Sequence, residues 1–273
     1  VFEIVKKNQE NIADEWSKAN GNNYRCKINS TFVYENYKGC YLNKDKKKDY
    51  NIVILGNSHA QMYAPLFEKI LKEENRGARL FVRPNCLPTV IINISKKCLN
   101  EAKQNFKIIL NDPNIKFIFI SMTWYGSKYI DVEGNQVNYT KLVDAISDLG
   151  AQFENKGKTL LVFSPIQIPN RELANELPRL LRFKKIPTDE IYKKTFVDRK
   201  EYENKFNNIN LRLGKIFGEN FITVYKDLCD VKNCYFAKND IMYFSDSNHL
   251  SKQGVVLLKE TNKKIRKKIQ SLK

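Results

Sequence analysis

Residues Asn51 to Pro65 read NIVILGNSHAQMYAP, and the character of the chain changes at Gly56. Ile52, Val53, Ile54 and Leu55 run without polar alternation, the pattern of a central parallel strand buried on both faces. Gly56 lets the backbone turn sharply off the strand end, and Ser58 then falls where a helix begins, beside N–H groups that have no intrahelical partner. A serine so placed is a candidate nucleophile. It is also an ordinary helix N-cap, and this stretch alone leaves both readings open.

The other polar cluster lies near the opposite end, at Tyr243 to Gly254, YFSDSNHLSKQG. Asp246 and His249 are close enough in sequence for one loop to set a carboxylate against an imidazole. The chain has 2 histidines, His59 and His249, and each sits beside one of the two clusters. A serine hydroxyl is a weak nucleophile until a base takes its proton, and a neutral imidazole oriented by a carboxylate is the usual means. Ser58, His249 and Asp246 supply those parts. The side chain of His59 is expected to enter the helix, as packing or as a hydrogen-bond support.

At these residues the chain resembles the SGNH (GDSL-type) hydrolase superfamily, whose first block carries Gly-Asp-Ser and whose last carries Asp-x-x-His. More narrowly it resembles the periplasmic SGNH domain fused behind the membrane domain of acyltransferase-3 proteins, which O-acetylate bacterial surface glycans. That resemblance rests on Gly56-Asn57-Ser58-His59-Ala60, on Asp246-x-x-His249-Leu250-Ser251 followed by Gly254, and on the cysteines between them. Asn57 stands where the family usually has Asp; the acid of the triad is the one before the late His, so this change leaves the chemistry possible. No clear counterpart of the second-block Gly or the third-block Asn is visible, the equivalent strand ends reading Arg83-Pro84-Asn85-Cys86 and Ser121-Met122-Thr123-Trp124. The oxyanion donors expected are therefore the Ser58 backbone N–H and the side chain of Asn85.

Six cysteines fall into three close pairs by spacing, Cys26 with Cys40, Cys86 with Cys98 and Cys229 with Cys234, although six allow fifteen connectivities. An even number in loops favours disulfides in an oxidising compartment. Zinc is the competing reading, but with no C-x2-C spacing and 2 histidines no metal site is expected. No run approaches the roughly 18 apolar residues of a membrane span and no signal peptide is visible. The chain starts at Val1, which suggests a domain of a longer protein. The sequons at Asn29, Asn93 and Asn138 are best read as chance in so Asn-rich a sequence.

The net charge of +17 is spread over Lys46-Lys47-Lys48, Lys184-Lys185, Lys193-Lys194, Lys263-Lys264 and Lys267-Lys268, without a nucleic-acid motif or aromatic platform. A compositional bias toward Lys, Asn and Ile explains much of it; a basic face toward anionic lipid or acidic glycan is second, and no nucleic-acid partner is expected.

The alternation of strand-like and helix-like segments predicts an α/β fold: a three-layer α/β/α sandwich whose parallel five-strand sheet has, as the resemblance implies, flavodoxin-like order. The strands are expected at 51–55, 79–83, 116–121, 159–164 and 221–225, with helices at 59–75, 99–110, 139–155, 199–217 and after Gly254. Residues 1–50 form an N-terminal helical linker and a disulfide-held extension, and residues 51–273 the catalytic domain. The segment 165–199, broken by Pro165, Pro169, Pro178 and Pro187, reads as a long irregular loop serving as a lid, an acceptor-binding element or a structural crossover. Trp124 and Tyr125 end the third strand and either stack on sugar rings or pack.

The resemblance implies an O-acetyltransferase that passes an acetyl group through acetyl-Ser58 to a hydroxyl of a cell-surface glycan, lipopolysaccharide O-antigen being favoured. It further implies a periplasmic domain of an inner-membrane protein that binds no cofactor itself and receives acetyl groups from cytoplasmic acetyl-CoA through an upstream membrane domain. The alternative is a carbohydrate esterase or deacetylase using the same triad with water as acceptor. An α/β-hydrolase is disfavoured because Asp246 and His249 share one loop.

Overall fold

The computed structural model describes residues 2–26, 31–34, 37–44, 50–125, 128–183 and 187–272. The lysine runs at 46–48 and 184–185 and the Asn29 sequon lie outside them. The chain divides into two compact units, one comprising Arg25–Pro165, Asn208–Thr223 and Lys264–Lys273, the other Val1–Tyr24, Ile166–Asn207 and Val224–Lys263.

The first unit is built on one seven-stranded sheet: β1 (Thr31–Tyr34), β2 (Tyr37–Leu42), β3 (Ile52–Gly56), β4 (Ala78–Val82), β5 (Phe117–Ser121), β6 (Thr159–Phe163) and β7 (Phe221–Ile222), in the order β1-β2-β4-β3-β5-β6-β7. The five strands β3 to β7 are parallel and correspond to those expected from the apolar runs, in flavodoxin-like order. The expectation of a five-strand sheet needs one correction. Residues 31–34 and 37–42, read as an extension of loop, are two antiparallel strands that continue the sheet, β2 running antiparallel to β4 with Cys40 opposite Leu80 and Leu42 opposite Ala78. Cys40 and Leu42 are fully buried, and Gly39 lets the Phe32 ring and the Leu80 carbonyl approach where a Cβ would collide with both.

Because strand order reverses between β4 and β5, right-handed crossovers put helices on opposite faces of the sheet. On one face, Phe67 of helix Ala64–Glu73 meets Phe119 at 5.0 Å and Phe163 at 6.2 Å between ring centroids. Alongside it, Arg266 and Gln270 of the C-terminal helix bond Glu74 at 2.7 and 3.0 Å. On the other face, Phe106 of helix Lys96–Asn111 packs on Phe153 of helix Leu142–Glu154 at 5.2 Å. Phe67, Phe119, Phe153 and Phe163 are fully buried, each contributing about 1.5–3 kcal/mol of apolar burial. Cys26 is joined to Cys40 and Cys86 to Cys98 in this unit, and Cys229 to Cys234 in the other, the pairing expected from spacing.

The helix expected at 59–75 is two pieces, Ser58–Gln61 and Ala64–Glu73. Pro65 has no N–H to give the Gln61 carbonyl, so the chain breaks at Tyr63 and restarts with Pro65 in the first helical turn. The helix at Arg199–Phe217 has the expected bounds.

The second unit corrects the reading of 165–199. That segment holds the helices Leu173–Phe183 and Thr188–Lys193 and a short strand, Phe196–Asp198, paired with Asn233–Tyr235. Leu173, Ala174, Leu177, Pro178 and Leu181 are all buried, so one apolar stripe offsets the hydrogen bond that Pro178 removes. The expected N-terminal helix is present at Phe2–Ser17; Arg182 bonds its Asp14 at 2.8 Å, and its fully buried Trp16 donates Nε1–H to the Asn239 carbonyl at 3.1 Å. Among the described residues no helix is long and apolar enough to cross a membrane.

Candidate active site

In the sheet unit, β3 ends between its neighbours with Gly56 opposite both Val82 and Ser121, at the point where strand order reverses and where open α/β sheets bind ligands. Gly56 has φ +154°, and a Cβ there would overlap the Ser121 carbonyl oxygen and lie 2.7 Å from Ala60 Cβ. The turn that releases Ser58 from the strand therefore requires glycine. Asn57 is buried and caps the helix, its Oδ1 accepting the His59 N–H at 3.0 Å while its Nδ2 donates to Thr123 Oγ1 at 3.2 Å. This carboxamide does what an aspartate could not, because it caps with one atom and donates with the other. The Ala60 and Gln61 N–H groups also turn back to Asn57, on its carbonyl at 2.9 and 3.2 Å, so three of the first N–H groups are used inside the turn. Ser58 is half-buried and His59 buried.

In the second unit, residues 246–249 form a tight loop wrapped around one carboxylate. Asp246 Oδ1 accepts the backbone N–H groups of Asn248 at 2.8 Å and His249 at 2.7 Å. Both carboxylate oxygens lie against His249 Nδ1, at 3.0 and 2.9 Å. A carboxylate only accepts, so Nδ1 carries the proton and the neutral ring keeps its lone pair on Nε2, the state a general base needs. Burial alone would raise the Asp246 pKa, but the hydrogen bonds from His249, Asn23 and the Asn248 N–H outweigh it and hold the carboxyl far below the usual carboxylate range.

A depressed folded-state pKa means the unfolded chain binds the proton more tightly, so the stability Asp246 contributes is complete above the ordinary carboxylate pKa and is lost as pH falls through the folded value. The difference in thermal midpoint between the native chain and Asp246→Ala should be constant above about pH 5 and shrink below about pH 4. A gap that widens below about pH 4 would show that the carboxyl is not held ionised.

The loop is followed by Ser251, whose Oγ accepts the Gly254 N–H at 2.9 Å and caps helix Lys252–Val255. A Cβ on Gly254 would overlap the Tyr243 carbonyl and lie 2.7 Å from Tyr243 Cα, which explains the glycine that ends this block.

The structure thus brings Asp246 and His249 together within one unit and sets Ser58 at a strand end of the other. Asn85 occupies the third position of a Pro-containing turn, with φ +65°, exposed in the loop after β4. Trp124 is 3 % exposed and gives its indole N–H to the Phe163 carbonyl at 3.1 Å, so packing is the role this conformation gives it, whereas Tyr125 is 49 % exposed with its ring edge-on to Tyr139 at 6.0 Å. Asn93, one of the sequons, is fully buried and bonds Leu87 through both its backbone groups. It organises the loop stapled by Cys86 and Cys98 and presents no glycan acceptor. Lys264 and Lys268 are partly spent on the Phe221 carbonyl at 2.5 Å and on Glu219 at 2.9 Å. Among the described residues no three His, Cys, Asp or Glu side chains gather as metal ligands.

Two partners of the late loop went unread in the sequence: Asn23, whose Nδ2 donates to Asp246 Oδ2 at 2.9 Å, and Ser245, whose Oγ donates to Asn23 Oδ1. Nothing local marks Asn23, which lies 223 positions from its partner.

The family model described as SGNH domain (fused to AT3 domains) matches residues 25–262, and the chain belongs to that family. Its fold is that of the periplasmic domain of the lipopolysaccharide acetyltransferase from Salmonella ser. Paratyphi A, with a TM-score of 0.56 at 19 % identity over 81 % of this chain and 84 % of that one. A GDSL-like lipase from Bacteroides thetaiotaomicron (TM-score 0.40, 13 % identity, 82 % and 90 % covered) is a more distant likeness. So is an acylhydrolase, described as putative, from Bacteroides fragilis (0.41, 10 %, 83 % and 94 %). No curated protein sequence matches the chain. Membership in the SGNH family places the chain in the superfamily of acyl-transferring and acyl-hydrolysing enzymes.

Proposed function

We propose that this chain is the acetyl-transferring domain of an envelope O-acetyltransferase, with Ser58 as nucleophile, His249 as base and Asp246 as the acid that orients it. The observation that carries the reading is the Nδ1 pairing of His249 with Asp246 at 2.9–3.0 Å, in a chain of the SGNH family whose Gly56-Asn57-Ser58 resembles that family's first block. Ser58 Oγ attacks the acetyl carbonyl while Nε2 of His249 takes its proton; the bond to the donor then breaks and the proton passes to the leaving group. A glycan hydroxyl next gives its proton to Nε2 and attacks acetyl-Ser58, and the proton returns to Oγ as the ester bond breaks. The Ser58 backbone N–H, with Asn85 as a candidate side-chain donor, faces the developing oxyanion, and exposed Tyr125 offers a ring on which a sugar can stack.

The acceptor is a bacterial surface glycan, with lipopolysaccharide O-antigen first because the similar Salmonella domain belongs to a lipopolysaccharide acetyltransferase. Fusion to AT3 domains in the family supports a membrane partner upstream that hands over acetyl groups drawn from acetyl-CoA, so this domain holds no cofactor of its own. Three disulfides suit a periplasmic setting.

The test offers the chain an acetyl donor together with an O-antigen oligosaccharide and measures acetylated glycan against free acetate. Acetylated glycan should form, and Ser58→Ala should lower the rate by about a thousandfold or more. Release of acetate alone, whatever glycan is present, would make the domain an esterase; undiminished transfer by Ser58→Ala would remove the serine from the chemistry.

A further inference from the structure

We propose that Asn23 is a positioning residue for the Asp246 and His249 pair, supplied by the N-terminal segment rather than by the family domain. The inference rests on the reading of that pair as acid and base given above. The family match begins at residue 25, so Asn23 lies just outside it.

The orientation of the Asn23 carboxamide is fixed from both ends. Asp246 Oδ2 can only accept, so the atom at 2.9 Å from it must be Nδ2. On the other side Oδ1 takes the hydroxyl proton of Ser245, a residue with no exposed surface, whose Oγ also lies 3.1 Å from the His249 carbonyl. The segment carrying Asn23 is pinned to the same loop by its backbone. Gly21 N–H donates to the Ser245 carbonyl at 3.0 Å, and Lys252 N–H donates to the Asn22 carbonyl at 3.0 Å. From the other flank, Asn170 N–H reaches the Ser247 carbonyl at 3.0 Å, and Glu172 Oε1 accepts the Ser247 N–H at 3.3 Å.

This arrangement does something specific. With both oxygens of Asp246 equidistant from Nδ1, the carboxylate could rotate and give the imidazole a range of directions. Asn23 holds Oδ2 while the Asn248 and His249 N–H groups hold Oδ1, so the carboxylate plane is fixed and with it the direction of Nε2. Of the titratable groups in this unit, His249 bonds Asp246 and Glu172 accepts the Ser247 N–H; Gly21, Asn22 and Asn23 add no charge of their own.

The experiment measures kcat and KM with a small activated acetyl ester. Asn23→Ala should lower kcat roughly tenfold, as expected for one lost hydrogen bond to a charged acceptor, with KM unchanged. Asn23→Asp, nearly the same shape, sets two carboxylates side by side. Its deficit relative to the native chain at the same pH should grow as pH rises and shrink as pH falls and one of the two takes a proton. The low-field proton resonance of His249 Nδ1–H should move upfield in both variants. A merely structural role would lower the thermal midpoint without moving the pH dependence or that resonance. If Asn23→Asp keeps the native kcat and pH profile while Ser58→Ala is inactive, the positioning role is overturned and the triad stands. If Ser58→Ala retains full turnover, the triad and the role of Asn23 fall together.

Discussion

Asp246→Asn is expected to lower kcat by about ten-thousandfold while leaving the fold in place, the effect of an imidazole held in the wrong tautomer. The size follows from the donors around this side chain. Oδ1 faces the N–H groups of Asn248 and His249, and Oδ2 faces the Asn23 amide. An asparagine has one oxygen and one NH2 group, so either orientation sets donor against donor on one side. If the NH2 group takes the Oδ2 position it also faces His249 Nδ1, which must then become an acceptor, moving the ring proton to Nε2 and removing the base. Steady-state kinetics with the small ester, alongside a circular dichroism melt, checks this. A variant that folds and retains more than about a tenth of native kcat would mean that Asp246 does not set the tautomer of His249 as the proposed base.

Gly56→Ala should destabilise the protein by at least about 4 kcal/mol, the range reserved for a substitution the backbone cannot accommodate. Two costs combine. The φ of +154° is a conformation that side chains rarely adopt, and the added Cβ would occupy the space of the Ser121 carbonyl oxygen, on the strand paired with β3 along its whole length. Relief requires β3 and β5 to separate at their carboxyl ends, where Ser58 is presented. Gly214→Ala is the matched control. That glycine lies inside helix Arg199–Phe217, and its Cβ would meet nothing nearer than Phe221 Cδ1 at 3.8 Å, so the change should stabilise by about 0.5–1 kcal/mol. Urea unfolding of both variants tests the pair; equal small effects would mean that the Gly56 turn relaxes at little cost.

Much of this fold is readable along the chain because its elements are locally encoded. The apolar runs within Ile52–Gly56, Phe117–Ser121 and Thr159–Phe163 read as inner parallel strands covered on both faces, and they are buried at every position or at all but the first. Asp246 and His249 could be paired from sequence for the same reason, since three positions fit one turn of loop. The helix at Leu173–Phe183 was hidden by Pro178, a breaker by propensity that burial on the apolar stripe overrides.

By itself, then, the sequence determined the parallel strands, their order through the family resemblance, the glycine turn before Ser58 and the pairing of acid with imidazole. Tertiary structure alone decided that the β1 and β2 strands extend the sheet edge, that Trp124 turns inward to the Phe163 carbonyl and that Asn23 closes on Asp246. The division has a physical origin. Periodicity and turn chemistry act between near neighbours and leave a local trace, whereas a hydrogen bond across 223 positions depends on which backbone the folded chain brings alongside.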